Sequence, residues 1–330
     1  MATRLVYSDD QQPGITRRKV RGHWTYWSPA GERITDRDEI DRLNAIGLPP
    51  AYADAWFCPK PNGHIQATGK DEKGRKQYRY HAGFREAQET AKYERCAEFG
   101  HALPALRKRV DADLAKRDLS RDRAVAAVVR LLDQGHIRVG NEAYAQANES
   151  FGATTLRKRH AAVRGDTLKL QFKAKSGKLC NKSLTDKSLA RFVKRCQDLD
   201  DQHLFAWLDA DGTAHPVTSS DVNAYIREAT GTDFTAKHFR TWAASVTAFE
   251  ALASAQADLS LKALLEPVTH KLGNTAAIAR KSYVHPTLIG LIKKGQSAFR
   301  AAVRLPRASR HLSRAERGLI AFLEGATATT

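Results

Sequence analysis

The chain has 330 residues, a length at which about two domains are expected. Its 54 lysines and arginines exceed its 36 aspartates and glutamates, so the formal net charge is +18, which favours a nucleic-acid partner over a basic protein that binds none. No stretch approaches the ~18 apolar residues of a membrane span, and the N-terminus lacks the apolar core of a signal peptide, so we expect a cytoplasmic globular protein.

The positive charge is shared by two parts of the chain. Residues 1–85 hold 15 basic and 10 acidic residues, a net charge of +5, which leaves +13 for residues 86–330. Strand and turn patterns dominate the first part, and helical patterns dominate the second. We therefore predict an α+β protein with a small β-rich N-terminal domain (1–85) and a larger, mainly α-helical domain (86–330). Because both domains are basic, we expect both to face one ligand.

The sequence predicts neither a metal nor a nucleotide cofactor. The four cysteines are scattered without a CxxC pair, so free thiols are expected rather than a zinc site or a disulfide framework. Neither GxGxxG nor GxxxxGK[ST] occurs, which argues against a nucleotide cofactor. There is no HExxH and no carboxylate cluster, so a two-metal nuclease would lack its ligands.

Two local patterns define the first domain. Aromatic residues before Pro29 and Gly31 predict a hairpin over residues 24–34, and Asp36 opens a predicted helix that ends at Gly47.

A basic strand is predicted close to the end of this domain. Alternation places Lys76, Tyr78 and Tyr80 on one face of it, with Arg75 and Gln77 on the other. Both faces carry groups suited to phosphates and base edges, although an exposed edge strand kept soluble by charge would look the same.

In the second domain we predict four clear elements. These are a helix over residues 120–135, a β-hairpin turning at 176–177 with lysines outside, a helix capped by Ser219 or Ser220, and a last helix that begins with a capping box at 313–316.

Residues 272–286 carry the candidate nucleophile. Gly273 is predicted to end one helix in the left-handed conformation, and Asn274 or Thr275 to cap the next, whose apolar side would be Ala277 and Ile278. Tyr283 then falls in the last turn, because the following proline disfavours helix. Taken alone, this stretch favours the interpretation of Tyr283 as an ordinary half-buried aromatic residue.

A tyrosine, arginines and lysines on a basic chain are the groups needed for phosphoryl transfer through a covalent tyrosine. A phenol with a pKa of about 10 becomes a nucleophile when cations stabilise its phenolate. Guanidinium groups match the charged oxygens of the transition state, and a departing sugar alkoxide needs a proton from a positioned acid such as a lysine.

Several motifs resemble those of the small type IB DNA topoisomerases of bacteria and poxviruses, over nearly the whole chain. Each motif alone is weak, but their order is that of the family. The matching segments are residues 73–80 (KGRKQYRY), 137–144 (IRVGNEAY), 155–160 (TLRKRH), 172–177 (FKAKSG), 237–242 (KHFRTW) and 272–286.

The resemblance implies a role for each matching position. Tyr283 would attack a backbone phosphate, forming a 3′-phosphotyrosyl link and releasing a 5′-hydroxyl, while Arg138 and Arg240 hold the phosphate oxygens. Lys175 would be the general acid, although Lys173 and Lys178 lie close enough that spacing alone does not choose between them.

The remaining positions complete the implied site. Asn274 stands where the viral and eukaryotic members have histidine, so it would donate a hydrogen bond to the phosphate without supplying a proton. Residues implied to contact DNA are Arg75, Lys76, Gln77, Tyr78, Tyr80 and Tyr144. The implied enzyme relaxes double-stranded DNA as a monomer, without ATP or metal.

Two alternatives remain at this point. A tyrosine recombinase uses the same chemistry, but it usually has histidine three residues before the second arginine, where this chain has Lys237. A catalytically inactive DNA-binding clamp would share the charge, yet Arg138, Lys175, Arg240 and Tyr283 would then have no role.

Overall fold

The computed structural model describes residues 4–72 and 74–327. The chain divides into two compact units at Ala91 and Lys92. Lys73, which opens one of the motifs above, lies outside the described residues. In the described ranges, no helix combines the length and the apolar character needed to span a bilayer.

The first unit is built on a five-stranded antiparallel sheet with the order β2-β1-β3-β4-β5. Its strands are β1 (Ile15–Val20), β2 (His23–Trp27), β3 (Ala53–Phe57), β4 (Ile65–Lys70) and β5 (Lys76–Tyr80). Helix α1 (Arg37–Ala45) begins after Asp36, whose side chain accepts a hydrogen bond from the Asp38 amide. The small core joins α1 to one face of the sheet through Ile15, Tyr26, Leu43, Leu48, Phe57 and Ala67.

The predicted hairpin over residues 24–34 is present as a short turn, in which Trp27 and Arg33 form an antiparallel bridge and the Ile34 amide donates to the Tyr26 carbonyl oxygen at 2.9 Å. The prediction missed the longer pairing, since strand β2 pairs along its length with β1. The turn between β1 and β2 permits this pairing, because Arg21 and Gly22 have φ of 50° and 86°. Two consecutive positive φ values define the tight turn that suits a two-residue hairpin.

The second unit is mainly helical. It begins within the last residues of α2 (Ala82–Glu94). Its further helices are α3 (Cys96–Ala115), α4 (Arg121–Gly135), α5 (Glu142–Asn148), α6 (Lys187–Gln197), α7 (Ser219–Thr230), α8 (Ala236–Ser254), α9 (Leu261–Leu272), α10 (Ala276–Ser282), α11 (Pro286–Leu291), α12 (Gln296–Ala302) and α13 (Arg314–Thr327). A shared apolar core, with Phe99, Phe192, Phe205 and Phe249 almost fully buried, joins most of these helices.

Two antiparallel sheets lie between the helices. The three-stranded sheet has the order β6-β7-β8, and a two-stranded sheet joins β9 to β10. The strands are β6 (Ala161–Arg164), β7 (Thr167–Lys173), β8 (Leu179–Thr185), β9 (Ala206–Leu208) and β10 (Ala214–Pro216). Short 3-10 turns occupy Ala153–Thr155, Lys158–His160 and Lys175–Gly177. The predicted β7–β8 hairpin is confirmed, since Ser176 and Gly177 turn it with φ of 67° and 73°.

Helix ends follow the predictions with two corrections. Helix α4 ends at Gly135, but the left-handed residue is His136, with φ of 54°. Helix α7 is capped by Thr218 rather than Ser219 or Ser220, because Thr218 and Asp221 exchange hydrogen bonds as a capping box. The predicted capping box of the last helix is confirmed in the reciprocal bonds between Ser313 and Glu316.

Candidate active site

Tyr283 lies where helix α10 ends. The Gly273 backbone has φ of 68° and closes α9, and Thr275 caps α10 by accepting a hydrogen bond from the Ile278 amide at 3.3 Å. The predicted apolar side of α10 was wrong: Ile278 is 46% exposed, whereas Ala279 is fully buried. The Tyr283 amide donates to the carbonyl oxygen of the buried Ala279 at 3.1 Å, and the tyrosine side chain is itself partly buried.

The two predicted arginines meet beside this turn. Arg240 projects from α8 and is only 4% exposed. Its guanidinium group donates to the His136 carbonyl oxygen and, from Nη2, to the Leu272 carbonyl oxygen at 3.1 Å. Arg138 follows the left-handed His136 at the end of α4, and its Nη2 donates to Asn274 Oδ1 at 3.1 Å.

The segment that carries Arg138 is held by close backbone contacts. Gly140 has φ of 99°, and a Cβ on Gly152 would lie 2.5 Å from the Gly140 nitrogen, so both positions require glycine. Asn141 caps α5, and Glu142 pairs with the buried Arg157. These contacts explain the residue types at positions 140, 141, 142 and 157 and hold the backbone beside Arg138 in place.

Asn274 links the two arginines. Its Oδ1 accepts from Arg138 and, at 3.0 Å, from Arg240 Nη2. Since Thr275 provides the helix cap, the Asn274 side chain is free for this role. Asn274 is 7% exposed, and its Nδ2 and the Nε of Arg240 are buried without a hydrogen-bond partner among the described residues. Unpaired buried donors are costly, so this cluster suits an acceptor such as a phosphate oxygen.

Three consecutive carbonyl oxygens at the end of α9 each accept a hydrogen bond from a cation. Lys182 Nζ donates to Lys271 at 2.7 Å, Arg240 donates to Leu272, and Lys178 Nζ donates to Gly273 at 3.1 Å. The negative end of the helix dipole favours cations at this point. Two lysines of β8 and its turn therefore tie the β7–β8 hairpin to the helix end that precedes Asn274.

Lys175 lies in the turn of this hairpin. It is exposed and lines a groove of about 1380 Å³ together with Arg138, Tyr144 and Arg240. Lys173 lies 3.9 Å from Glu149, and Lys178 is bonded to Gly273. Of these three candidate acids, only Lys175 has no hydrogen bond or ion pair within the described part of the chain, so its ammonium is available to a ligand in the groove.

The surroundings of Tyr283 favour its phenolate. Burial alone would raise the pKa of the phenol, but the positive charges of Arg240 and Arg138 outweigh burial and hold the Tyr283 pKa below its ordinary value. Burial, together with the charge of Arg138, lowers the pKa of the Arg240 guanidinium. The cluster is therefore poised to gain negative charge.

The predicted contact residues of β5 lie in the first unit. Arg75 and Gln77 both donate to the carboxylate of Asp71, at 2.7 and 3.1 Å. Lys76 pairs with Asp10 at 2.7 Å. The alternation predicted for this strand is confirmed by its burial pattern.

Two aromatic residues of β5 form an exposed stack. Tyr78 and Tyr80 are 40% and 38% exposed, and their ring centroids are 5.9 Å apart at an interplanar angle of 12°. Bases stack on exposed aromatic faces of this kind.

Sequence reasoning missed several residues that build these surfaces. Asp71 and Asp10 hold predicted contact residues, and Lys182 secures the hairpin. Ser245, on α8, accepts a hydrogen bond from the His285 amide at 3.1 Å and lies 3.4 Å from the Tyr283 carbonyl oxygen. No sequence signal marks a serine that bonds to the backbone of a distant turn. Within residues 4–72 and 74–327, no three His, Cys, Asp or Glu side chains cluster as metal ligands.

Comparison with known proteins identifies the family. Residues 81–284 match the catalytic core of eukaryotic DNA topoisomerase I, and residues 23–71 match the N-terminal domain of bacterial DNA topoisomerase IB. DNA topoisomerase 1B of Acanthamoeba polyphaga mimivirus is 31% identical over 301 residues, spanning 87% of this chain and 89% of the viral protein. The chain therefore belongs to the type IB DNA topoisomerases and not to the tyrosine recombinases, and its substrate is DNA.

Two more distant proteins share part of the chain. DNA topoisomerase 1 of Mycosarcoma maydis is 27% identical over 185 residues, which is 50% of this chain and 18% of that protein. The solved structure of the XerH site-specific recombinase bound to difH substrate covers 55% of this chain and 48% of its own, with 15% identity and a TM-score of 0.37. That score is too low to define a shared fold.

Proposed function

We propose that this topoisomerase relaxes supercoiled duplex DNA through a transient break in one strand, with Tyr283 as the nucleophile. The observation that supports this most strongly is the cluster in which Arg138 and the buried Arg240 and Asn274 meet next to Tyr283, with the Asn274 Nδ2 donor unpaired among the residues that the structure describes. In this proposal the cluster binds the phosphate that Tyr283 attacks.

The cleavage step follows from these groups. The Tyr283 phenol releases its proton to solvent water, and the phenolate oxygen forms a bond to phosphorus while the bond from phosphorus to the 5′ oxygen breaks. Arg138 and Arg240 stabilise the charge on the non-bridging oxygens, and Asn274 donates one hydrogen bond. Lys175 gives its proton to the departing 5′ oxygen, which leaves a 5′-hydroxyl and a 3′-phosphotyrosyl link.

Religation reverses each transfer. The 5′-hydroxyl attacks the phosphotyrosyl phosphorus and returns its proton to Lys175, and Tyr283 leaves as the phenolate that Arg240 and Arg138 stabilise. Torsion is released between the two steps by rotation about the intact strand. Because the phosphotyrosine conserves the energy of the broken phosphodiester bond, no step needs ATP. Side chains, rather than a metal, are proposed to transfer the protons and to stabilise the charge.

DNA contacts are proposed in both units. Tyr144 lines the groove with Arg138, Lys175 and Arg240 and would contact phosphates near the break. Arg75, Lys76, Gln77, Tyr78 and Tyr80 would contact bases or backbone through β5. We infer a monomer that acts on chromosomal DNA at the nucleoid, with affinity that falls steeply as salt rises.

The test is relaxation of supercoiled plasmid in EDTA without ATP. The wild-type protein should relax the plasmid, and the Tyr283→Phe variant should bind it without relaxing it. Folded wild-type protein that leaves the plasmid supercoiled under these conditions would contradict the proposal. Relaxation by the phenylalanine variant would show that the nucleophile is another residue.

A further inference from the structure

The turn that carries Tyr283 is held by groups outside its own helix. Helix α10 has only seven residues, a length that is not stable by itself. The backbone of Tyr283 has already left the helical region, with φ of −133° and ψ of −41°. Within the turn, the amides of Tyr283 and Val284 both donate to the Ala279 carbonyl oxygen, at 3.1 and 3.0 Å. The carbonyl groups of the turn need other partners.

Lys92 and Tyr93 provide two of these partners. Lys92 Nζ donates to the Ser282 carbonyl oxygen at 2.8 Å, and the Tyr93 hydroxyl donates to the Lys281 carbonyl oxygen at 3.3 Å. The two side chains are each 8% exposed, and the Lys92 ammonium lies 4.1 Å from the centroid of the Tyr93 ring. A buried lysine and a buried tyrosine are thus committed to the two carbonyls just before Tyr283.

The residues after Tyr283 are held from the same direction. His285 Nε2 lies 3.2 Å from the Tyr93 carbonyl oxygen, and the two rings make an edge contact at 5.5 Å. Ser245, fully buried on α8, bonds to the His285 amide and lies within reach of the Tyr283 carbonyl oxygen. The turn is therefore bounded on both sides of Tyr283 by side chains from α2 and α8.

We propose that Lys92 and Tyr93 are positioning residues for the nucleophile. Both side chains bond to the backbone of residues 281–282, and the Tyr93 ring contacts the His285 ring, so their effect on the reaction passes through the position of Tyr283. Their effect is to hold the phenol oxygen where in-line attack can begin, a condition for which a displacement of about 1 Å can cost about 10²-fold in rate. The inference rests on the proposed assignment of Tyr283 as the nucleophile.

Positioning of the nucleophile should affect the rates of cleavage and religation to different extents. Before cleavage, only the protein holds the turn, so a loosened turn must be ordered on the way to the transition state. After cleavage, the phosphotyrosyl bond itself fixes Tyr283 to the DNA. Loss of the Lys92 or Tyr93 contact should therefore slow cleavage much more than religation. Loss of a group that stabilises the transition state directly would instead slow both steps.

The test measures single-turnover cleavage and religation at saturating duplex DNA. In Lys92→Met, which keeps the apolar stem and removes the donor, cleavage should slow about 10- to 100-fold while religation changes little. On a substrate whose short cleaved fragment dissociates, the reaction runs to completion. The final adduct yield per folded molecule should then equal that of the wild-type protein. Lys92→Arg keeps a donor and should recover part of the rate. Lys194→Met, on the exposed face of α6, is the matched control and should behave as wild type.

Tyr93→Phe provides a second variant that removes only one hydroxyl group. It should slow cleavage about fivefold, as loss of one neutral hydrogen bond implies. Unchanged cleavage rate constants in both variants, or equal slowing of cleavage and religation, would overturn the proposal. So would a loss confined to the adduct yield with the rate constant intact, since that would reflect unfolded protein only. If the wild-type protein forms no adduct, the assignment of Tyr283 fails first, and this outcome is separate from failure of the Lys92 variants.

Discussion

The guanidinium carbon of Arg240 lies 4.9 Å from the centroid of the Tyr283 ring. Arg240 is almost completely buried, and its two terminal nitrogens donate to the His136 and Leu272 carbonyl oxygens and to Asn274. One side chain thus connects the end of α4, the end of α9 and the turn after α10. This connection brings residues from distant parts of the sequence into one cluster.

The positions of Arg240 and Arg138 predict that the Tyr283 phenol loses its proton at a lower pH than an ordinary tyrosine does. Their charges lower the Tyr283 pKa against the opposing effect of burial, so phenolate should form below the ordinary value of about 10. The near-ultraviolet difference between wild type and Tyr283→Phe during a pH titration isolates this group. In Arg138→Gln the midpoint should move up. A wild-type midpoint at or above 10, or no shift in the variant, would contradict the proposed electrostatics.

Lys175 should be needed only when the leaving group is an alkoxide. Lys175→Met should cleave an ordinary strand about 10²- to 10⁴-fold more slowly, the usual contribution of a general acid. A substrate with sulfur at the 5′ bridging position releases a thiolate, whose conjugate acid has a pKa of about 8.5, so it needs no proton. The variant should cleave this substrate nearly as fast as wild type. Equal defects on both substrates would assign Lys175 a structural role.

Lys173→Met is the matched control for that experiment. Lys173 is exposed on the same hairpin and lies 3.9 Å from Glu149. Its replacement should leave cleavage of the oxygen substrate close to wild type. If instead Lys173→Met shows the selective defect, the general acid is Lys173 and the assignment of Lys175 is wrong.

Both the oxygen and the nitrogen of the Asn274 side-chain amide should contribute to the rate of cleavage. Asn274→Asp keeps an acceptor for Arg138 and Arg240 but replaces the unpaired donor with a negative charge, so cleavage should fall about 10²- to 10³-fold, as for loss of one transition-state donor. Asn274→His keeps a donor and should retain more activity. Cleavage and religation measured separately for both variants test this. Identical rates for wild type and Asn274→His would remove any special role for the amide.

Glu316 should stabilise the catalytic unit in a pH-dependent way. Its carboxylate binds Arg107, the Trp242 indole N–H and the Ser313 amide. Burial would raise the pKa of this group, but its partners, Arg107 foremost, lower it to about 2. The stabilisation is therefore present above the unfolded pKa of about 4.3 and is lost as pH falls toward 2.

Denaturant unfolding of Glu316→Gln at neutral pH measures this contribution. Breaking a buried charge network by removing one partner costs about 3–5 kcal/mol, and the loss should shrink as pH falls. Glu250→Gln, on an exposed position of α8, is the control and should change the unfolding free energy little. An equal loss at every pH would show that the carboxylate charge is not the source of the stability.

The sequence predicted the elements that depend on local patterns. The alternation of Leu168, Leu170 and Phe172 gave the hairpin, and Gly273 gave the end of α9. Local patterns could not decide between Asn274 and Thr275 as the cap, because that choice depends on Arg138 and Arg240 drawing the Asn274 side chain away. The buried side of α10 was misjudged for a similar reason, since packing against other helices and not composition determines which alanine is covered.

The candidate site was reached from the sequence mainly through its resemblance to a family. Arg138, Lys175, Arg240 and Tyr283 are separated by tens of residues, and no periodicity connects them. Lys92, Tyr93 and Ser245 could not be predicted, because their side chains bond to backbone atoms of a turn that lies between 38 and 190 residues away in the sequence. Every residue type has the same backbone carbonyl group, so these contacts do not require particular residues in the turn and leave no sequence pattern there.

The most direct test of the central claim is to locate the covalent bond to DNA. Wild-type protein is incubated with a duplex whose cleaved strand loses a short 5′-hydroxyl fragment, so that the adduct persists, and the protein is then digested and its peptides sequenced by mass spectrometry. If Tyr283 is the nucleophile, a nucleotide is joined through its 3′ phosphate to the peptide that contains Tyr283, and no adduct forms in Tyr283→Phe. A nucleotide on any other residue, or an adduct that persists in the phenylalanine variant, would contradict this assignment.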